Sequence, residues 1–230
     1  MKRFMIFAGA AALSCGAYAN LLSDGGFEIG DVYSPQFTGG PWTTEYLYAT
    51  NINENSNDLG SIWHEGDMRV MSQANNSTTG HRLWDPVSAN EGRYFLAVNG
   101  ATIPENHPFV LEQVFSYTGS GPLTISFDSV NLYKQNSIGA STLTTYLDGV
   151  ALGTTTTFLD NTWRTASYTA SVGSGQTHTL KIVADSIQFS GNDFGLDNVS
   201  IQAVPEPFTT ALSLAGAGLF IRRRMKAKKA

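Results

Sequence analysis

The sequence predicts an all-β protein, an antiparallel jelly-roll β-sandwich over residues 20–203, flanked by an N-terminal signal peptide and a C-terminal single apolar helix. Three observations predict the sandwich. Residues 20–203 are rich in Thr, Ser, Gly, Asn and aromatic residues, which favour strands and turns. Helical periodicity is almost absent from this region. Strand-like segments recur about every 8 to 12 residues, a spacing typical of sandwiches.

The individual strands are recognised by alternation of apolar and polar residues between turn residues. We predict strands at 92–100, 109–117, 123–128, 143–147, 150–154, 163–172, 178–185 and 194–202. Asp148 and Gly149 join two of these segments and form the clearest hairpin signal. Residues 33–90 are less regular and hold three of the four Trp residues, so we expect long loops around short strands. Ligand sites of sandwiches commonly lie on such loops.

Residues 1–19 have the pattern of a secretory signal peptide. Lys2 and Arg3 precede an apolar segment at 4–13, and Ala17-Tyr18-Ala19 has the small-x-small pattern of a cleavage site. The apolar segment is shorter than the roughly 20 residues of a stable membrane anchor. We therefore expect export and cleavage after Ala19. Cys15 is the only cysteine, so the mature chain would lack a thiol for a disulfide or a metal.

The region between the two ends is strongly acidic. Residues 20–203 contain six Lys or Arg against eighteen Asp or Glu, a formal charge of −12. Such a domain repels phosphate backbones, which argues against a nucleic-acid partner. Signatures of catalysis are also weak, because His64-Glu65-Gly66 lacks the second His of a zinc-protease helix and no Gly-x-Ser-x-Gly elbow is present. We predict no catalytic residue.

The last 27 residues, 204–230, form a separate segment. Two prolines, which prevent further strand pairing, enclose a Glu; a charge-free apolar run at 208–221 and a basic end at 222–229 follow. An apolar run followed by cations stops in a membrane with the basic end in the cytoplasm. The residues of this pattern are Pro205, Glu206, Pro207, Arg222, Arg223 and Arg224.

This order of elements closely resembles the PEP-CTERM sorting signal of Gram-negative bacteria. The resemblance implies that residues 208–221 insert transiently in the inner membrane as an anchored intermediate. It also implies that an exosortase-type membrane peptidase removes the apolar helix and the basic end. The protein would then reside at the cell surface or in the extracellular matrix, in company with extracellular polysaccharide.

Residues 20–28 and 194–201 resemble the opening and closing strands of jelly-roll carbohydrate-binding modules and their galactose-binding-like relatives. The resemblance implies that Glu28 and Asp197 hold a structural calcium ion, with Asp24 as a weaker third ligand. Calcium takes six to eight oxygen ligands, and acidic, Gly-rich chain ends supply them. The alternative is that these carboxylates are ordinary turn and edge-strand residues facing water.

Sugar-binding modules pack aromatic rings against pyranose C–H groups and use nearby polar side chains for the hydroxyls. The candidate platform residues are Trp42, Tyr46, Tyr48, Trp63, His81 and Trp84, whereas we expect Trp163 to be a core residue. The leading hypothesis is a non-catalytic, exported surface or matrix protein that binds exopolysaccharide. The alternatives are an adhesive or structural protein with protein partners and an extracellular polysaccharide hydrolase.

Overall fold

The computed structural model of this chain describes residues 19–29, 40–49, 62, 64–75, 80–81, 83–100, 109–133, 139–186 and 192–204. They form ten strands: β1 (Leu47–Tyr48), β2 (Asp67–Met71), β3 (Phe95–Val98), β4 (Phe109–Tyr117), β5 (Pro122–Asn131), β6 (Thr142–Leu147), β7 (Val150–Thr156), β8 (Arg164–Ser171), β9 (Gln176–Ala184) and β10 (Phe194–Ala203). No helix occurs among these described residues.

The strands form two sheets. One has six strands in the order β1-β2-β3-β10-β5-β8, and the other has four in the order β4-β9-β6-β7. Neighbouring strands are antiparallel except β1 and β2, which are parallel. The predicted all-β sandwich is therefore confirmed. The signal peptide up to residue 18 and the tail from residue 205 lie outside the described residues, so both stay predictions.

The main core lies between the two sheets. On β5, Leu123, Ile125 and Phe127 are fully buried and point inward, as alternate residues of a strand do. Leu180 and Ile182 of β9 belong to the same cluster. Burial of each such side chain stabilises the fold by about 1.5–3 kcal/mol, so this layer holds the two sheets together.

A second, smaller core lies on the outer face of the six-stranded sheet. Phe95 and Ala97 of β3 belong to it, whereas Leu96 and Val98 belong to the main core. Residues 72–75 and 83–91 cover this face and contribute Trp84, Val87 and Ala74. Because both faces are covered, β2 and β3 are buried at every position. The outer face of β8 and of the first half of β5 is not covered in this way, so buried and accessible residues alternate along these strands.

The hairpin between β6 and β7 has the predicted turn. Asp148 and Gly149 both have positive φ values, 51° and 77°, as a two-residue type I′ turn requires. The Asp148 carboxylate also fixes the turn to β9, because Oδ1 accepts a hydrogen bond from Thr179 N at 2.8 Å. Within the described part of the chain, no helix is long and apolar enough to span a membrane.

Candidate functional site

Most of the aromatic residues predicted as sugar platforms lie in the interior. Trp42 has no exposed surface, and the exposed fractions of Trp84, Tyr46 and His81 are 3%, 6% and 7%. An enclosed ring offers no face to a pyranose, so in this structure these four are core residues. Tyr48 is half-buried against the main core, and its hydroxyl accepts a hydrogen bond from Val70 N. Trp63 lies outside the described residues.

The two buried indoles have hydrogen-bond partners inside the protein. Trp42 Nε1 donates to the carbonyl oxygen of Asp24 at 3.2 Å, and its ring packs against Phe27. Trp84 Nε1 donates to Asp193 Oδ2 at 2.7 Å. A Trp that is buried usually satisfies its N–H in this way. Both residues are therefore integrated into the cores and not merely covered by a loop.

His81 and Asp193 are the titratable groups around Trp84. The His81 ring stacks on Trp84 with centroids 5.0 Å apart, and burial lowers the pKa of His81 to about 4. Burial raises the pKa of Asp193 to about 6, against the hydrogen bonds from Trp84 and Gly100 N. Compared with the unfolded chain, the folded state therefore shifts each group towards its neutral form.

His81→Gln is expected to change how stability depends on pH. The folded-state pKa of His81 lies below its unfolded value, so stability is lost as the pH falls from about 6.5 towards 4. The variant should therefore gain roughly 2 kcal/mol relative to the wild type on going from about pH 7.5 to pH 5. Urea unfolding at both pH values measures this difference. An identical pH dependence in the two proteins would show that His81 is not held neutral by burial.

Two of the three carboxylates predicted as calcium ligands accept hydrogen bonds from the backbone of one turn. Asp197 Oδ2 accepts hydrogen bonds from Asn90 N and Glu91 N, at 3.0 and 3.2 Å. Glu28 Oε1 accepts hydrogen bonds from Arg93 N and Tyr94 N, at 2.9 and 3.1 Å. Asp197 is fully buried, and burial raises its pKa to about 6. Together they hold the turn at residues 90–94 against the N-terminal segment and β10.

Asp24 differs from these two residues because Oδ2 is buried without a hydrogen-bond partner. Burial raises the pKa of Asp24, and the neighbouring Glu28 charge adds to the effect. An orphaned buried carboxylate oxygen fits a cation ligand. Asp197 fits less well, since its two oxygens already accept three backbone N–H groups. In the described ranges, no three acidic, His or Cys side chains converge on one point.

An open cleft of about 470 Å³ lies where the covering segment meets the start of β8. Its lining residues are Asp85, Pro86, Val87, Ser88, Ala89, Asn90, Asn161 and Trp163. Trp163 is half-buried: its ring meets Phe95 edge-on at 5.6 Å, and Nε1 donates to the carbonyl oxygen of Ser88 at 2.9 Å. The ring is thus held in place while part of its surface remains in the cleft.

The polar groups of the cleft are held by neighbouring strands. Asn90 Nδ2 donates to Asp128 Oδ2 at 2.7 Å, so the side chain of Asn90 is anchored to β5. Asn161 also lines the cleft, but its Oδ1 is enclosed by the protein and has no hydrogen-bond partner there. The turn that carries Asn161 is fastened by an ion pair between Asp160 and Arg164. The cleft therefore combines a fixed aromatic ring with a lining of amide and hydroxyl residues.

Sequence reasoning missed this role of Trp163 because a Trp at the start of a strand is usually packed inside. One signal was available: Asn161 and Thr162 precede Trp163 and Arg164 follows it, so the Trp stands in a polar stretch. The position of β8 at the edge of its sheet is what leaves the ring accessible.

Comparison with known proteins gives similarity at the level of the fold. No family model matches the sequence, and no curated protein gives a significant match. A Stig cyclase from Fischerella sp. TAU is 16% identical with a TM-score of 0.52, over 81% of this chain and 97% of the cyclase. That likeness shows a shared sandwich fold.

Two carbohydrate-binding modules are also among the similar structures. TmCBM61, solved in complex with β-1,4-galactotriose, is 14% identical with a TM-score of 0.45, over 81% of this chain and 99% of the module. The CBM22-1 xylan-binding domain from Paenibacillus barcinonensis Xyn10C is 15% identical with a TM-score of 0.45, over 83% and 97%.

Proposed function

We propose that this chain is an exported, non-catalytic protein of the cell surface or extracellular matrix, and that its β-sandwich binds carbohydrate in the cleft beside Trp163. One observation carries the proposal: a fixed, half-buried Trp ring lies in an open cleft that is otherwise lined by amide, hydroxyl and small apolar residues and one carboxylate. A pyranose packs its C–H groups on such a ring, and its hydroxyls form hydrogen bonds with amide and hydroxyl side chains.

The charges favour a neutral sugar. Among the residues that line the cleft, Asp85 alone is ionisable, and the others are apolar, hydroxyl or amide residues. The domain as a whole carries a formal charge of −12, which repels polyanionic polysaccharides at low and moderate ionic strength. Binding therefore depends on stacking and hydrogen bonds, and it should be insensitive to salt.

The direct test is equilibrium binding of the purified exported protein to the extracellular polysaccharide fraction of its host. The proposal predicts saturable binding that persists at high salt, without new reducing ends after long incubation. Release of reducing ends would make the protein a hydrolase. Binding to surface proteins, with no binding to the polysaccharide, would make it an adhesive protein and would overturn the proposal.

The proposed route to the surface depends on the tail. Its support is the fixed order of the Pro205-Glu206-Pro207 motif, the apolar run at 208–221 and the basic end that begins at Arg222. An exosortase-type peptidase would recognise the tail while it lies in the inner membrane. The intact mass of the protein released from cells should therefore correspond to a chain that begins at Asn20 and ends before Phe208 or within the apolar run. Retention of Lys229 on surface material would refute processing.

We also propose one structural calcium ion with Asp24 Oδ2 as its first ligand; because Asp24, Glu28 and Asp197 do not converge on one point, backbone carbonyl oxygens and water would complete the ligand set. The support is the orphaned Asp24 Oδ2 and the resemblance of the two chain ends. Bound calcium would screen the charges of the acidic residues and tie the N-terminal segment to β10. The ion would have a structural role, so its removal should lower the stability of the fold.

Chelation of calcium is expected to lower the melting temperature by roughly 5–10 °C. With calcium near 100 times its Kd, binding adds about 2.7 kcal/mol, and each kcal/mol shifts a domain of this size by about 2–4 °C. Differential scanning calorimetry with calcium and then with chelator measures the shift. Asp24→Asn should abolish it, whereas Asp160→Asn, at an exposed carboxylate, should retain it. A wild-type protein without any shift has no such site.

A further inference from the structure

An uncharged polar surface lies on the outer face of β5, β8 and the second half of β10. Its residues are Thr124, Ser126, Ser167, Thr169, Ser200 and Gln202, which we call the hydroxyl face. Ser126 pairs with Ser167 on one side and Ser200 on the other, and Thr124 pairs with Thr169 and Gln202 in the next row. The residues between them on each strand point into the main core or pack against it. The hydroxyl face therefore points to the outside.

The hydroxyl face carries no ionisable side chain, although the domain has a formal charge of −12. The nearest carboxylate, Asp128, is buried and accepts hydrogen bonds from Asn90, Asn198 and Thr165. No large apolar side chain is present either, and protein interfaces normally need apolar and aromatic residues at their centre. Hydroxyl and amide groups that both donate and accept match the hydroxyls of a neutral sugar polymer.

The hydroxyl face begins where the Trp163 cleft ends. Asn90 lines the cleft and donates to Asp128, which occupies the row next to Ser126 on the same face of β5. Trp163 immediately precedes Arg164, the first residue of β8. From Ser126 to Thr124 the face extends about 7 Å along the strand, and its three strands lie about 4.8 Å apart. From Arg164, next to the cleft, to Thr169 at the far row of the face, β8 extends about 17 Å, which is long enough for more than one sugar unit.

We propose that the hydroxyl face extends the Trp163 cleft into a platform for successive units of a neutral, extended polysaccharide. This inference rests on the proposed function and specifies the ligand further. The ligand is an internal segment of a long neutral polysaccharide, and not the end of a polysaccharide or a single sugar. Trp163 holds one unit by stacking, and the hydroxyl face holds the following units by hydrogen bonds. Affinity then increases with chain length.

Isothermal titration calorimetry on the exported protein tests this with β-1,4-linked xylose and galactose oligosaccharides, each as disaccharide and hexasaccharide. The hexasaccharide should bind at least about tenfold more tightly than the disaccharide, equivalent to about 1.4 kcal/mol. In the double variant Ser167→Glu, Thr169→Glu, this gain should fall below about twofold with disaccharide affinity unchanged. Gln202→Glu, which is nearly isosteric, should also reduce the gain in affinity from disaccharide to hexasaccharide. Ser116→Glu, on an exposed position of β4, is the matched control and should retain it.

The outcomes separate this inference from the proposed function. A full length-dependent gain in the double variant and in Gln202→Glu would overturn the inference, as would equal affinity of the wild type for both lengths. An oligogalacturonate hexasaccharide is negatively charged. If it bound as tightly as the neutral hexasaccharides, the proposed preference for a neutral polysaccharide would be wrong. If the double variant changed only the oligomeric state, from dimer to monomer in sedimentation, the hydroxyl face would be a self-association surface and the inference would be wrong. Absence of binding to both lengths in the wild type would contradict the proposed function itself.

Discussion

Trp163→Ala is expected to weaken binding of the neutral polysaccharide by about 30-fold to 1,000-fold, equivalent to about 2–4 kcal/mol. The reason is that the variant removes the ring on which the sugar packs, and it also releases the Ser88 carbonyl that the indole N–H holds. Because Trp163 is only half-buried, the free energy of unfolding should fall by no more than about 1–2 kcal/mol, less than for a fully buried Trp.

Two further variants control this experiment. Trp163→Phe keeps an aromatic face but loses the hydrogen bond to Ser88, so its affinity should lie between those of the wild type and Trp163→Ala. Tyr146→Ala removes a half-buried aromatic residue from the four-stranded sheet and should leave binding unchanged. Unchanged binding in Trp163→Ala, or loss of binding in Tyr146→Ala alone, would place the sugar on a different surface of the sandwich.

Trp42→Ala should have the opposite profile, a large loss of stability. Trp42 is fully buried beside Phe27, and truncation of such a side chain costs about 3–5 kcal/mol. The variant also leaves the Asp24 carbonyl without its indole donor, next to the proposed calcium ligand. Chemical denaturation measures the loss. Where the variant still folds at low temperature, its affinity for polysaccharide should be within about threefold of the wild type, which is less than 1 kcal/mol.

The comparison between the two Trp variants is informative because the sequence predicted the opposite roles. A stable Trp42→Ala protein that no longer binds polysaccharide would restore Trp42 as a platform and contradict the placement of its ring in the main core. A Trp42→Ala protein that fails to accumulate at all would support the core assignment, since marginal stability of a few kcal/mol is soon exhausted.

The strands of the second half of the chain could be predicted because their signal is local. Residues 109–117 were predicted as a strand, and β4 spans the same residues. The hairpin at Asp148 and Gly149 was also predicted, since a two-residue turn with positive φ needs these residue types. Alternation of apolar and polar residues is visible wherever one face of a strand is buried and the other is exposed.

The second core could not be predicted because it depends on contacts distant in sequence. β2 and β3 show no alternation, since residues 72–75 and 83–91 cover their outer face and both faces are buried. These covering residues also determine which Trp is accessible. Trp84 is one of them and is enclosed, whereas Trp163 lies beside them and lines the cleft. Composition indicates that aromatic residues are available for a site, but only the tertiary arrangement selects one.

For the carboxylates near the two chain ends, the sequence also could not predict which groups they contact. The resemblance marked Glu28 and Asp197, and the structure gives both a definite task in holding the turn at residues 90–94. Their partners are backbone N–H groups, which no sequence pattern specifies. The unpartnered oxygen on Asp24, the weakest candidate from sequence, became apparent only from its burial.

The measurement that tests the central claim most directly is two-dimensional NMR of the indole N–H signals of the four Trp residues during titration with the host polysaccharide. Each signal is assigned by a Trp→Phe substitution. The account predicts that the Trp163 signal shifts saturably, while the signals of the enclosed Trp42 and Trp84 stay in place. A Trp163 signal that stays in place while that of another Trp shifts would contradict it.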